Sequence, residues 1–122
     1  MEQISELIGK VITDIFINTR KTEIIFECQG GAKYRMYHSQ DCCEEVTIED
    51  ICGDLNDLLY YPIILATEDT NRKEIEGLKA EKNDTFTWTF YNIANKHGHV
   101  TIRWFGTSNG YYSEEVYFQK IN

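Results

Sequence analysis

The chain has 122 residues, a net charge of −8, 42% hydrophobic residues and 13% aromatic residues. That length suits one domain around one core, spanning residues 1–122, and that apolar content excludes a disordered tail. No apolar run approaches the ~20 residues of a membrane-spanning helix, and four arginines (Arg20, Arg35, Arg72 and Arg103) form no basic stripe for duplex DNA or RNA.

Residues 1–9 alternate charge with Ile and Leu and lack a basic leader segment, so a cytoplasmic protein is expected rather than a secreted one. Residues 2–8 predict a short helix with Ile4, Leu7 and Ile8 on one side, stopped by Gly9. The pattern then changes to period two. Val11, Thr13, Ile15 and Ile17 alternate with Ile12, Asp14 and Phe16 in a first strand, and Ile24, Phe26 and Cys28 form the inward face of a second. Gly30-Gly31 predicts a tight hairpin into a third strand over 33–38. There Tyr34, Met36 and His38 share one face, and Arg35 and Tyr37 the other.

Val46-Thr47-Ile48 reads as another extended piece, and Asp50 is placed to begin a helical turn reaching Leu59. Pro62 ends it, and Ile63-Ile64-Leu65 reads as a buried strand. Residues 68–84 are charged, contain Gly77 and predict a flexible loop. In residues 85–93, Phe86, Trp88 and Phe90 share one side while Thr85, Thr87, Thr89 and Tyr91 share the other. The aromatic side is the expected core. After a turn at 95–98, Val100, Ile102 and Trp104 alternate with Thr101, Arg103 and Phe105. A last strand covers 115–121. About seven strands with one short helix and one or two helical turns predict a mainly β, α+β domain built on antiparallel sheet.

Two polar clusters sit where strands end: His38-Ser39-Gln40-Asp41-Cys42-Cys43-Glu44, and the run from Arg103 through Ser108-Asn109-Gly110-Tyr111-Tyr112-Ser113. Loops held by rigid strands are common recognition sites, so these segments predict a pocket for a small polar ligand. Arg35 and Arg103 are the candidates for phosphate contact. Phe90, Tyr111 and Tyr112 are candidates for stacking on a nucleobase. His38, Gln40, Asp41, Asn92, Ser108, Asn109 and Gly110 complete the candidate set as hydrogen-bonding or turn residues. A competing use of the first cluster is a nucleotide-processing or thiol hydrolase built on His38, Asp41 and Cys42. Neighbouring residues of one loop rarely aim at one atom, so no catalytic residue is assigned and no enzyme is expected. The four cysteines lack C-x-x-C spacing, so reduced buried thiols are expected and neither a metal nor a cofactor.

His38–Glu44 with the downstream Ile48-Glu49-Asp50-Ile51-Cys52-Gly53-Asp54-Leu55 resembles a group of small phage proteins. So do Thr85-Phe86-Thr87-Trp88-Thr89-Phe90-Tyr91, residues 100–104 and Ser108-Asn109-Gly110-Tyr111-Tyr112-Ser113. The group is the phage Thoeris anti-defence sponges of the first described type, and the resemblance spans residues 34–118. It implies a protein that sequesters a cyclic ADP-ribose isomer in the infected bacterial host without cleaving it, so that the Thoeris effector stays inactive. It also implies a homo-oligomer, a dimer or hexamer, with ligand pockets between paired subunits, and cyclic trinucleotides as a second ligand class.

Overall fold

The computed structural model describes residues 3–71, 85–109 and 112–122. Eight strands run in chain order: β1 (Ile12–Ile17), β2 (Glu23–Cys28), β3 (Lys33–Tyr37), β4 (Glu45–Cys52), β5 (Leu65–Asn71), β6 (Thr85–Ala94), β7 (His99–Ser108) and β8 (Tyr117–Lys120). They form two four-stranded sheets, ordered β1-β2-β3-β8 and β4-β7-β6-β5, with every strand pair antiparallel. The mainly β architecture expected from the period-two runs is therefore the one observed. Among the described residues helical content is confined to two 3-10 turns, Ile4–Leu7 and Leu55–Leu58. No helix among the described residues is long and apolar enough to cross a membrane.

The sheets pack face to face on one core. Ile24, Phe26, Tyr34, Met36 and Phe118 from the first sheet meet Val46, Tyr91, Ile93, Ile102 and Trp104 from the second. Trp104 is fully buried, and its indole Nε1–H points at Met36 Sδ across the interface, 3.3 Å away. The 3-10 turn at Ile4–Leu7 closes one end by burying Ile4 and Leu7. Gly9 follows it at φ +86°, a left-handed conformation open to glycine at little cost.

Several boundaries differ from expectation. Residues 50–52 continue β4 through a bulge between Ile48 and Asp50, so the helical turn begins only after Gly53. Asp54 starts that turn by accepting the Asn56 N–H on its side chain. Residues 68–71 of the expected loop are strand β5, paired with β6 from Glu68↔Tyr91 to Asn71↔Trp88; residues 72–84 lie outside the described residues. Ile63 is buried, but Ile64 and Leu65 are exposed where the chain enters the edge strand β5.

The largest correction concerns β6. Its register sets Thr89 opposite Trp104 and Tyr91 opposite Ile102, so the Thr/Tyr side faces the core. Phe86, Trp88, Phe90 and Asn92 lie on the outer face, opposite Thr107, Phe105, Arg103 and Thr101. Both sides of β6 carry large rings. The side that joins the core is decided by the partner strand, whose Val100, Ile102 and Trp104 are all fully buried.

Candidate functional site

The first polar cluster is a loop tied around one carboxylate. Glu44 is buried, and its Oε1 accepts the backbone N–H groups of Asp41 (3.1 Å) and Cys42 (2.9 Å) and the Gln40 amide (2.8 Å). Its Oε2 faces His38 Nε2 at 3.4 Å. Gln40 Nε2 also donates to the Glu44 carbonyl at 2.6 Å. Burial pushes the Glu44 carboxyl up. The N–H groups of Cys42, Glu44 and Asp41, helped by His38, outweigh that and hold it below the ordinary value of 4.5. Gathering the loop around Glu44 turns Asp41, Cys42 and Cys43 to the surface. The adjacent Cys42 and Cys43 sulfurs are joined in a disulfide, and Cys52 is exposed. The expectation of buried reduced thiols therefore holds for Cys28 alone, whose thiol burial pushes up.

The second cluster is organised in the same way. Glu114 is buried, and three hydroxyls donate to it: Thr85 and Ser108 to Oε2, and Thr87 to Oε1 at 2.7 Å. Gly106 makes room for this acid, since a Cβ there would lie 3.0 Å from both Glu114 Cβ and Val46 Cγ2. The two corners meet. His38 Nδ1 lies 2.6 Å from the Glu115 carbonyl, and its ring stacks toward Tyr117 with centroids 6.4 Å apart. Glu44 and Glu114 are the residues that sequence reasoning missed here. Their signal was faint: a carboxylate shortly before a strand, close to clustered donors.

The remaining candidates separate onto two surfaces. Arg103, Phe90 and Asn92 share the outer face of the second sheet. There the Arg103 guanidinium lies 5.3 Å from the Trp88 ring centroid, and Trp88 packs on Phe105 at 4.6 Å and Phe90 at 6.5 Å. Phe86 extends the cluster against Phe105 at 6.0 Å. Arg103 is held from β4 by Glu49, with Asp50 at 3.7 Å. Asn92 Oδ1 accepts the Thr101 hydroxyl at 2.8 Å, leaving its NH2 group as a donor. Phe86 and Trp88, expected in the core, are buried on this outer face instead of between the sheets, with Phe105 half-buried beside them. Trp88 Nε1 is buried with no hydrogen-bond partner among the described residues.

Arg35 is not part of that group. It projects from the outer face of the first sheet, paired to Glu23 at 3.0 Å and lying over the Tyr37 ring at 3.8 Å. Within one chain, Arg35 and Arg103 cannot grip the same phosphate, because the whole core lies between them. Ser108 is buried on Glu114, Asn109 is exposed and Tyr112 is half-buried; Gly110 and Tyr111 lie outside the described residues. The His38, Asp41 and Cys42 arrangement brings no thiol to the imidazole. The ring nitrogens face Glu115 and Glu44, and the Cys42 sulfur is bonded to Cys43. Among the described residues no group of three or more His, Cys, Asp or Glu is arranged to hold a metal ion.

Among the described residues, the outer face of the second sheet thus combines flat rings, the Arg103 guanidinium, an amide donor and flanking carboxylates. Comparison with curated proteins and with solved structures finds no match. Residues 5–118, nearly the whole chain, match the family described as Domain of unknown function (DUF7448), and the chain belongs to that family.

Proposed function

We propose that this protein binds and sequesters a cyclic ADP-ribose isomer without cleaving it, as a phage anti-defence protein that blocks Thoeris immunity in the cytoplasm of the infected host. The observation that carries the reading is the pair of half-buried rings Phe90 and Phe105, seated on the buried Trp88, with the Arg103 guanidinium beside them. Rings of this kind stack on a nucleobase whatever its hydrogen-bonding edge. A guanidinium forks onto a phosphate. The carboxylates of Glu49 and of Asp69, which stands opposite Phe90, are suited to accept ribose hydroxyls. A phosphate takes the Arg103 fork over from Glu49, exchanging one charge-assisted pair for another. Sequestration also needs no aligned nucleophile, in keeping with a His38 that both motif corners use as a fastening. The resemblance to the sponge family further supports a homo-oligomer, dimer or hexamer, and cyclic trinucleotides as an additional ligand class.

The test is recovery. Protein incubated with a cyclic ADP-ribose isomer and freed of excess ligand should release the intact molecule on heat denaturation. Phe90→Ala and Arg103→Ala should each lower retention roughly tenfold with circular dichroism unchanged, given stacking of ~1–3 kcal/mol per base. Recovery of a linear or hydrolysed product, or no retention, overturns the proposal.

A further inference from the structure

The cysteines divide into two kinds. Cys28 is a buried thiol and Cys52 an exposed one, whereas Cys42 and Cys43 are bonded to each other. Neighbouring side chains on a strand point to opposite faces. This pair lies between β3 and β4, outside either strand, and both residues are exposed.

A cross-link between residues adjacent in sequence encloses almost no chain. It withdraws little entropy from the unfolded state, so it is a poor staple for the fold. What it fixes is local: the Cys42–Cys43 peptide and the backbone beside it. That backbone holds the Glu44 corner. The Cys42 N–H donates to Glu44 Oε1 at 2.9 Å, and the Asp41 N–H donates to the same oxygen at 3.1 Å. Gln40 Nε2 reaches the Cys42 carbonyl at 3.4 Å as well as Glu44 Oε1 at 2.8 Å. Behind Glu44, His38 Nε2 stands 3.4 Å from Oε2, and His38 Nδ1 lies 2.6 Å from the Glu115 carbonyl. The surface bond is thus connected, contact by contact, to the segment that leads into β8.

We propose that Cys42 and Cys43 form a reversible oxidation site that exchanges with small-molecule thiols of the glutathione class, its disulfide state tightening the corner built on Glu44 and its dithiol state loosening it. A thiolate of the small molecule attacks one sulfur, breaking the Cys42–Cys43 bond and forming a mixed disulfide. A second thiolate displaces the protein sulfur from that adduct. The small molecules leave as their own disulfide, oxidised by two electrons, and the protein sulfurs take up protons as two thiols. Exposed disulfides are the labile ones, and exposure of both residues leaves either sulfur open to attack. Opening the ring returns rotational freedom to Cys42 and Cys43, so the N–H groups of Asp41 and Cys42 are held less firmly on Glu44. The site needs nothing from the Arg103 face and stands independently of the nucleotide reading.

Alkylation mapped by peptide mass spectrometry in glutathione buffers of graded ratio, with amide exchange by NMR on the two end states, tests the proposal. In excess oxidised glutathione, alkylation is expected at Cys52 and not at Cys42 or Cys43. In excess reduced glutathione it is expected at all three, through one reversible two-electron transition. Reduction should speed exchange of the Asp41 and Cys42 amides about fivefold, as the weakening of a hydrogen bond requires. The Ile102 and Trp104 amides in the core should change less than twofold. Cys43→Ser should exchange fast in either buffer, with Cys42→Ser as the second variant, and Cys52→Ser should keep the parent's transition. Alkylation of Cys42 and Cys43 in excess oxidised glutathione, a bond from either to Cys52, a bond that reduced glutathione does not open, or Asp41 and Cys42 exchange unchanged by reduction each overturns the proposal.

Discussion

Glu44 shows how one side chain turns a string of polar residues into structure. Its carboxylate supplies acceptors for two backbone N–H groups and the Gln40 amide, while His38 closes the far side and fastens the loop to the Glu115 carbonyl. The folded-state pKa of Glu44 lies below its ordinary value of 4.5, so the ionised form is favoured by folding. The stability this contributes is fully present above that value and is lost as pH falls through the depressed folded pKa. Glu44→Gln should therefore lower the melting temperature at neutral pH and leave a shallower decline in stability below pH 4.5 than the parent shows. Melting curves across the acid range check both points. An identical acid limb in parent and variant would contradict the assignment. Nothing in the string His38–Glu44 distinguishes Glu44 from Asp41 as the organising acid. The choice follows from which one is drawn under the sheet when β4 pairs with β7.

At the scale of elements, the strands of the second sheet are ordered by register, and their ends by turns with little tolerance. Gly53, between β4 and the second 3-10 turn, has φ +106°, and a Cβ there would lie 2.7 Å from the His99 carbonyl oxygen at the start of β7. Backbone cannot yield as a flexible side chain can. Gly53→Ala should cost about 2 kcal/mol in denaturant unfolding, from conformational strain together with that approach. A variant as stable as the parent would show that the turn relaxes. Register also explains why β6 was legible as a strand while its faces were not. Phe86, Trp88 and Phe90 form an aromatic row at period two, and such rows ordinarily turn inward. Here Tyr91 and Ile93 hold the core position with Thr87 and Thr89, because those residues stand opposite the Gly106, Trp104, Ile102 and Val100 side of β7. That placement delivers Phe90 and Asn92 beside Arg103, three candidates that sequence spacing alone had no means of bringing together.

At the scale of the whole molecule, the described residues form two sheets closed on one core, with Trp104 reaching across to Met36. Trp104 is fully buried and touches the sheet it does not belong to, so Trp104→Ala should cost about 3–5 kcal/mol through lost burial and the cavity left behind. Chemical denaturation measures this directly, and a loss under 1 kcal/mol would mean that the sheets repack around the gap. The same closure separates Arg35 from Arg103, which a reading by scarcity had joined as phosphate contacts. It also creates a cleft beside β5, whose lining residues come from the N-terminal turn, β5, β6 and the approach to β8. No local pattern reports a space bounded by four distant segments. The sequence by itself determined that the chain is mostly strand, where most turns fall and that two polar corners punctuate it, because period-two patterning and turn chemistry are properties of neighbouring residues. Only the tertiary structure decided which face of β6 is inward, which acids anchor the corners and which candidates share a surface. Those outcomes depend on strand register and on the burial gained across the whole sandwich, quantities that no short stretch of chain contains.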